Sequence, residues 1–195
     1  MSAAFDRLYS PEEYLALERE AETRSELVNG RVYAMACASP VHNQIAANLM
    51  GLLWTLLRDS PCRPYGSDQR VGVAATGIYT YPDLSIICPP EEHDPRDPDT
   101  LTNPSALVEV LSPSTEAYDW GAKFGHYRRI PSLREYWLVS TDRQRVERFV
   151  RDGAEWRFQE FAGPEASVPL EVVRGASISL ADLYSRVELP ETPAR

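Results

Sequence analysis

The sequence predicts an α/β or α+β domain with a mixed β-sheet core flanked by helices, and three observations carry this prediction. Apolar residues recur at helical spacing in some segments, and short apolar runs bounded by proline or glycine indicate strands between them. Asn29-Gly30 and Asp152-Gly153 each separate two alternating runs, which predicts additional β-hairpins. The 195 residues suffice for one domain and are few for two. We therefore expect a single domain over residues 1–189 and a flexible tail at 190–195.

The N-terminal elements are predicted from caps and periodicity. Ser10 followed by Pro11 and Glu13 has the pattern of a capping box at the start of a first helix. Asn29-Gly30 predicts the first hairpin. The longest helix should follow within residues 39–60, because the apolar residues there have the spacing of a helix packed on a core: Ile45, Leu49, Leu52, Leu53 and Leu56.

Alternating strands and helices are predicted for the rest of the chain. Residues 61–88 should form two or three strands. The proline-rich, acidic stretch 89–105 has no periodicity and predicts a surface loop. A strand at 106–111, a helix at about 115–129, a strand at 134–141 and the second hairpin follow. Ser179 is the predicted N-cap of a short last helix.

Composition and charge exclude several protein classes. With 43% hydrophobic and 25% charged residues, the chain is a globular rather than a disordered one. It has no apolar run of about 20 residues and no signal-peptide pattern, so we expect a cytoplasmic protein. Three cysteines without a CxxC pair argue against a disulfide framework or a cysteine zinc site, and we expect buried thiols. The net charge of −9 disfavours nucleic-acid binding unless arginines gather on one face, as in 126–134.

Two charged residues stand in apolar surroundings. Glu109 lies in the middle of the predicted strand 106–111, where a buried carboxylate needs a cation or several donors. Asp83 opens another apolar strand directly after Pro82. Two carboxylates that converge near strand ends form a hard-oxygen site suited to Mg²⁺ or Mn²⁺. Without metal they repel each other, so we expect one of the two to have a raised pKa. Lys123, the only lysine of the chain, is the candidate to position the attacking water or offset charge.

The combination of motifs resembles one known family. "YPDLSII" at 81–87, "LVEVLSPST" at 107–115, the spacing of Asp119, Lys123 and Tyr127, and "REYWLVS" at 134–140 look like the Uma-type (Uma-two) restriction endonuclease family of the PD-(D/E)XK nuclease superfamily. "SELVNGRVY" at 25–33 and "SISLADLYSRV" at 177–187 extend the resemblance over nearly the whole chain.

The resemblance implies a restriction-endonuclease-like core and a metal-dependent site. In it, Asp83 and Glu109 hold Mg²⁺ (or Mn²⁺), and the backbone carbonyl of Val110 adds a ligand. In the superfamily's usual pattern the lysine lies two residues after the acidic residue on the same strand, and that position is Leu111 here. Lys123 therefore resembles a migrated catalytic lysine, and Glu26 matches an acidic position that could be a further ligand.

Each of these residues also has a purely structural interpretation. Glu109 could pair with an arginine, Asp83 could belong to a turn, and Lys123 could be an i,i+4 partner of Asp119. Glu26 is expected to be an ordinary surface acid.

Three further side chains near the motifs have alternative roles. Tyr127 lies one turn after Lys123 and belongs to the core or supports the site. Ser112 either caps the following helix or holds the scissile phosphate, and capping is favoured. His42 either lines the cleft or is structural.

The leading functional hypothesis is a metal-dependent endonuclease that hydrolyses the phosphodiester bonds of DNA. DNA as substrate rests on the resemblance alone, because a fold does not fix a function. The alternatives are a non-catalytic dimeric binding or regulatory module that keeps the nuclease fold, and an enzyme acting on another phosphate ester. The flanking hairpins make a homodimer plausible.

Overall fold

The computed structural model describes residues 7–113 and 115–190. Its helices are α1 (Pro11–Glu20), α2 (Pro40–Leu56), α3 (Glu116–Tyr118), α4 (Phe124–Tyr127) and α5 (Leu180–Leu183), with a π-helical turn at Asp119–Lys123 that joins α3 to α4. Its strands are β1 (Ser25–Val28), β2 (Arg31–Ala34), β3 (Arg63–Gly66), β4 (Arg70–Val73), β5 (Ile78–Thr80), β6 (Leu84–Ile87), β7 (His93–Asp94), β8 (Asp97–Leu101), β9 (Pro104–Val110), β10 (Glu135–Val139), β11 (Arg145–Asp152), β12 (Glu155–Ala162), β13 (Ser167–Pro169) and β14 (Ser177–Ser179).

Two large mixed sheets and a small hairpin contain these strands. The first sheet has the order β2-β1-β5-β4-β8-β7, and the second has the order β12-β11-β10-β9-β6-β3. In the first sheet β4 and β8 are parallel, and in the second β9 and β10 are parallel, while their other pairs are antiparallel. The predicted class is confirmed, and the hairpins of the N-terminal half gather into a sheet of their own.

The second sheet is covered on both faces. On one face α2 and α5 pack through Ile45, Leu49 and Leu183 against side chains that include Val108 and Trp137. The other face carries Leu107, Leu111, Tyr136 and Leu138, which meet Tyr127 of α4 and Val28, Val71, Val73 and Ile78 of the first sheet. The strand end that carries Glu109 therefore lies where two sheets and two helical layers converge.

The helix caps and the first hairpin turn that the sequence predicts are present in the structure. Ser10 and Glu13 make the reciprocal bonds of a capping box at α1, and Ser179 caps α5. Asn29 and Gly30 both have positive φ, as a two-residue hairpin turn with this dipeptide requires. The second hairpin also forms, with the turn at Gly153 rather than centred on Asp152, because Asp152 still pairs with Glu155.

Residues 89–105 are not a surface loop throughout, which is a correction. They contain β7, β8 and the start of β9, and the carboxylates of Asp94 and Asp97 are buried. Arg96 binds Asp94, and Arg70 binds Asp97 in a buried ion pair. Paired carboxylates can be buried, so an acidic composition did not imply exposure here.

The cysteines also differ from the prediction. Cys62 and Cys88 form a disulfide, and Cys37 is free and exposed.

Residues 61–88 form four strands rather than two or three. The predicted tail lies outside the described residues except for Pro190. No helix within residues 7–113 and 115–190 has the length and apolar character to cross a bilayer.

Candidate active site

The two predicted carboxylates are neighbours at the end of the central strands. Glu109 lies in β9, whose residues are all buried, and Asp83 directly precedes β6. These antiparallel strands place Leu84 opposite Val108, so continuing the register brings Asp83 opposite Glu109. Opposed residues have Cβ atoms about 4.5–5.5 Å apart. The sequence hypothesis that two strands deliver their acids to one place therefore agrees with the strand register.

The ammonium group of Lys123 lies among three carboxylates. Its Nζ is 2.9 Å from Glu109 Oε1, 3.3 Å from Glu26 Oε1 and 3.7 Å from Asp119 Oδ1. All four side chains are 5% or 6% exposed. The i,i+4 pair with Asp119 exists, but it is one part of a buried cluster rather than a pair on a solvated helix face. We name Glu26, Glu109, Asp119 and Lys123 the lysine cluster.

A π-helical turn brings both Asp119 and Lys123 into this cluster. The sequence predicted one regular helix at 115–129, whereas α3, the π turn and α4 follow one another and end at Tyr127. Asp119 and Lys123 are buried, while the three residues between them are exposed. A π turn adds one residue to the local helical repeat and is frequent at functional sites. This local widening lets a lysine twelve residues beyond Leu111 return to Glu109.

Glu26 reaches the cluster from the first sheet. It lies in β1 and is 5% exposed, so its interpretation as a surface acid was wrong. Its Oε1 accepts a hydrogen bond from the Tyr81 backbone N–H at 3.1 Å and also faces Lys123. No partner of Glu26 could be predicted from its own segment, because Lys123 lies on the π-helical turn and reaches Glu26 only in the folded chain.

Two tyrosines hold the cluster in place. The Tyr127 hydroxyl donates to Glu109 Oε1 at 3.0 Å and lies 2.9 Å from Thr80 Oγ1. The Tyr136 hydroxyl donates to the Asp119 carbonyl at 3.0 Å. Both rings are fully buried. Tyr127 thus belongs to the core and supports Glu109, as predicted.

Asp83 is bound differently from the other acids. Its Oδ2 accepts the Val110 backbone N–H at 2.7 Å and lies 3.1 Å from His42 Nε2. Its ion pair within the described residues is with His42 and not with Lys123 or an arginine. The structure therefore places Asp83 beside Glu109 but outside the direct reach of the lysine.

Ser112 lies in the turn between β9 and α3. Its hydroxyl is 2.9 Å from Thr115 Oγ1, and its carbonyl accepts the Glu116 N–H at 3.0 Å. The N-cap residue of α3 is Thr115, and its side chain makes no capping hydrogen bond, so the favoured capping interpretation of Ser112 is not confirmed.

Burial and charge shift the pKa values of the lysine cluster. Burial raises the pKa of Glu109 well above its usual value of 4.5; Lys123 opposes this, and the charges of Asp119, Asp83 and Glu26 add to it. Burial likewise raises the pKa of Asp119 against the opposing effect of Lys123. For Lys123 burial lowers the pKa, but Glu109 and Glu26 outweigh it, so the pKa lies well above 10.5. The expected raised pKa at Asp83 or Glu109 is found at Glu109, with burial rather than Asp83 as the first cause.

The oxygen atoms of this site are of the type that binds divalent cations, although the side chains are not already arranged as ligands around one point. Glu26, Asp83, Glu109 and Asp119 carry four carboxylates against one ammonium group. Among the described residues, no hydrogen bond is made to Asp83 Oδ1 or Glu109 Oε2. Within residues 7–113 and 115–190, no three His, Cys, Asp or Glu side chains are already grouped as ligands of one metal ion. Hard anionic oxygens in excess over cations still suit Mg²⁺ or Mn²⁺.

Two contributors were not identified from sequence as site residues. Asp119 was noted only as a motif residue and an ordinary helix partner of Lys123, and the π turn that buries it has no sequence signature. His42 was left open between lining the cleft and a structural role, and its partner Asp83 lies 41 residues away. A histidine at the third position of a capped helix was the available signal.

Comparison with known sequences identifies a family and two relatives. The profile of the Uma2 family, described as "Putative restriction endonuclease", matches residues 11–181. The Synechocystis sp. (strain ATCC 27184 / PCC 6803 / Kazusa) protein slr1290 is 38% identical over 185 residues, covering 94% of each chain. The protein sll1609 of the same organism is 33% identical over 175 residues, covering 89% of this chain and 99% of its own. Both relatives are described as "Uncharacterized protein".

A solved structure has the same fold. It is the crystal structure of "a putative nuclease belonging to DUF820" from Anabaena variabilis ATCC 29413, with a TM-score of 0.75 and 21% sequence identity. The similarity covers 90% of this chain and 97% of the other. The arrangement of two mixed sheets and flanking helices is therefore shared with that protein.

Proposed function

Because this chain belongs to the Uma2 family, described as "Putative restriction endonuclease", we propose that it is a metal-dependent endonuclease that hydrolyses phosphodiester bonds of DNA. Family membership supports nuclease activity in general. The metal requirement and DNA as the substrate are the specific content of the proposal.

One observation carries the proposal: the chain's only lysine is buried against Glu109, beside Asp83, at the end of the central strands. A buried lysine surrounded by carboxylates is costly unless paired. A purely structural role would be served by one partner. Here one ammonium group faces three acids with a fourth adjacent, and that excess of negative charge favours an additional cation.

The residues that would hold this cation are Asp83, Glu109 and the Val110 backbone carbonyl, with Glu26 as a further ligand. A bound divalent cation lowers the pKa of its water and stabilises charge on the phosphoryl oxygens. Tyr127 orients the Glu109 carboxylate through the hydrogen bond to Oε1. The Val110 N–H does the same for Asp83 Oδ2, which leaves Oδ1 for binding.

Lys123 acts as a positive hydrogen-bond donor in this proposal. Its raised pKa keeps the ammonium group protonated at neutral pH, so it does not serve as a general base. In hydrolysis the water oxygen joins phosphorus as one P–O ester bond breaks, and negative charge grows on the phosphoryl and leaving oxygens. A fixed ammonium group stabilises that charge.

Exposed arginines between α4 and β10 are consistent with an anionic polymer as substrate. Arg128 and Arg129 follow α4 directly, and Arg134 precedes β10; their side chains are exposed. They supply local positive charge on a chain whose net charge is −9, as contact with phosphates requires.

The test is nicking of supercoiled plasmid with Mn²⁺ or Mg²⁺, combined with calorimetric titration of Mn²⁺. We expect the wild type to nick only with a divalent cation. Glu109→Gln and Asp83→Asn should bind Mn²⁺ more weakly and lose nicking. Glu165→Gln, which changes an exposed acid in a turn distant in sequence from the site, is the matched control and should behave as wild type.

Each alternative function gives a different result. Binding of DNA without cleavage in any metal would overturn the enzymatic proposal and indicate a binding module. Cleavage of small phosphodiesters but not of plasmid would keep the chemistry and refute DNA as the substrate. Cleavage that persists in EDTA would contradict the metal requirement.

A further inference from the structure

His42 is held rigidly at the start of α2. Ser39 caps this helix and accepts the His42 backbone N–H at 3.2 Å. Ile45, Leu49 and Leu53 of the same helix are at most 1% exposed and pack on the second sheet. The first turn of α2 therefore has little freedom, and the imidazole points from it toward the strand end that carries Asp83.

The imidazole makes one polar contact within the described residues. His42 Nε2 lies 3.1 Å from Asp83 Oδ2, and Nδ1 is buried without a hydrogen-bond partner among them. A carboxylate only accepts hydrogen bonds, so the tautomer of His42 that bonds to a carboxylate here is the one with the proton on Nε2. Capping and helix packing do not need this contact, because Ser39 and the apolar face of α2 provide them.

Asp83 Oδ2 is thereby occupied by two donors from two different layers. The Val110 N–H comes from β9 at 2.7 Å, and the His42 N–H comes from α2. The plane of the carboxylate is then fixed at both sides of one oxygen. The described residues make no hydrogen bond to Oδ1, which leaves this oxygen available as a ligand.

We propose that His42 is a positioning residue that orients Asp83, so that Oδ1 is presented to a divalent cation at the site. The inference rests on the proposed function, because it concerns the same cation. Hydrogen bonds that orient ligating carboxylates and imidazoles are part of a metal site, and their loss typically weakens metal affinity about 10–100-fold. One backbone donor alone lets the carboxylate rotate about its Cβ–Cγ bond.

The test compares three replacements of His42 by calorimetric titration of Mn²⁺ into the metal-free protein. His42→Leu keeps bulk and removes the donor. His42→Gln keeps an N–H donor at similar reach, and His42→Asn keeps an amide that is too short to reach Asp83. Gln44→Ala changes an exposed residue of the same helix and is the matched control. Melting temperatures without metal show whether each variant is folded.

We expect His42→Leu and His42→Asn to raise the Mn²⁺ dissociation constant by about 10–100-fold, with Gln close to wild type and the Gln44 control unchanged. If the leucine variant does not fold, the asparagine and glutamine variants decide. Wild-type affinity in the leucine or asparagine variant would overturn the inference, as would equal losses in asparagine and glutamine. These results leave the proposed function standing. A wild type that binds no Mn²⁺ refutes the metal site itself and this inference with it.

Discussion

Replacing Lys123 with methionine removes the ammonium group and keeps the length of the side chain. Glu26, Glu109 and Asp119 then remain buried without their common cation. Removing one partner of a buried ion pair costs about 3–5 kcal/mol. In a domain of this size 1 kcal/mol shifts the melting temperature by about 2–4 °C. The metal-free variant should therefore melt about 6–20 °C below wild type.

The same replacement should strengthen the response to a divalent cation. The ammonium group repels a cation bound to Glu109, and two unit charges about 4 Å apart interact by about 4 kcal/mol at an effective dielectric constant of 20. Its removal leaves an uncompensated cluster of carboxylates. Mn²⁺ should therefore raise the melting temperature of Lys123→Met more than that of wild type. Nicking should nevertheless be lost, because the proposed charge-stabilising group is gone.

The assay is differential scanning fluorimetry with and without Mn²⁺, together with plasmid nicking. The matched control is Arg148→Met, which breaks another buried ion pair, Arg148 with Glu135 at 3.1 Å. Glu135 is opposite Ala106 and Glu109 is opposite Leu138, so the two pairs lie on opposite faces of the sheet. The control should lose similar stability, gain nothing extra from Mn²⁺ and still nick.

Two results would refute this reasoning. A metal-free Lys123→Met variant that melts with the wild type would show that the lysine cluster does not depend on the ammonium group. Nicking by that variant at the wild-type rate would show that Lys123 takes no part in the reaction.

Three further predictions concern other parts of the molecule. Arg96 lowers the pKa of Asp94 to about 2 from an ordinary 3.8, so the ionised Asp94 stabilises the folded protein fully above pH 3.8 and loses this effect as the pH falls through 2. In urea titrations Asp94→Asn should therefore be less stable than wild type at pH 6 and equal to it near pH 2. A stability difference that stays constant with pH would contradict this prediction. Replacing Cys62 with serine opens the disulfide to Cys88, which spans 26 residues, and should lower the free energy of unfolding by about 2–4 kcal/mol; equal urea midpoints would show that the bond is not formed. A homodimer that forms through the exposed edge strand β12 should give twice the chain mass in light scattering. Phe158 lies in β12 with its side chain 48% exposed, so Phe158→Lys should give the mass of a monomer. A monomeric wild type would refute the homodimer.

Local rules predicted the elements well where the cause is local. The start of α1 is determined within four residues, by Ser10, Pro11 and Glu13. The dipeptide Asn29-Gly30 is sufficient to predict its hairpin turn. The apolar face of α2 follows from Ile45 and its periodic neighbours. These features need no knowledge of what lies elsewhere in the chain.

Long-range pairing decided the remaining features. Asp97 lies in an acidic, proline-rich stretch, and its buried ion pair with Arg70 joins two segments that are far apart in the chain. Glu26 has no partner in its own segment, and its contact with Lys123 depends on the π-helical turn lying beside β1. The pattern of residue types along the chain does not reveal which distant residues will be in contact after folding.

The candidate site was partly accessible for the same reason. Glu109 could be singled out because a charge in an apolar strand is costly wherever that strand lies. The contact of Lys123 with Glu109 depends on the π-helical turn, which neither the composition nor the spacing of the sequence predicts. The resemblance to a family supplied the connection between these residues before the structure did.

The most direct measurement is an anomalous difference map from crystals of the protein soaked in Mn²⁺. The proposed function predicts a peak beside β6 and β9, ligated by Asp83 and Glu109 and close to the Lys123 ammonium group. A map without a peak there, in crystals where Asp83 stays bound to His42 and Glu109 to Lys123, would contradict it.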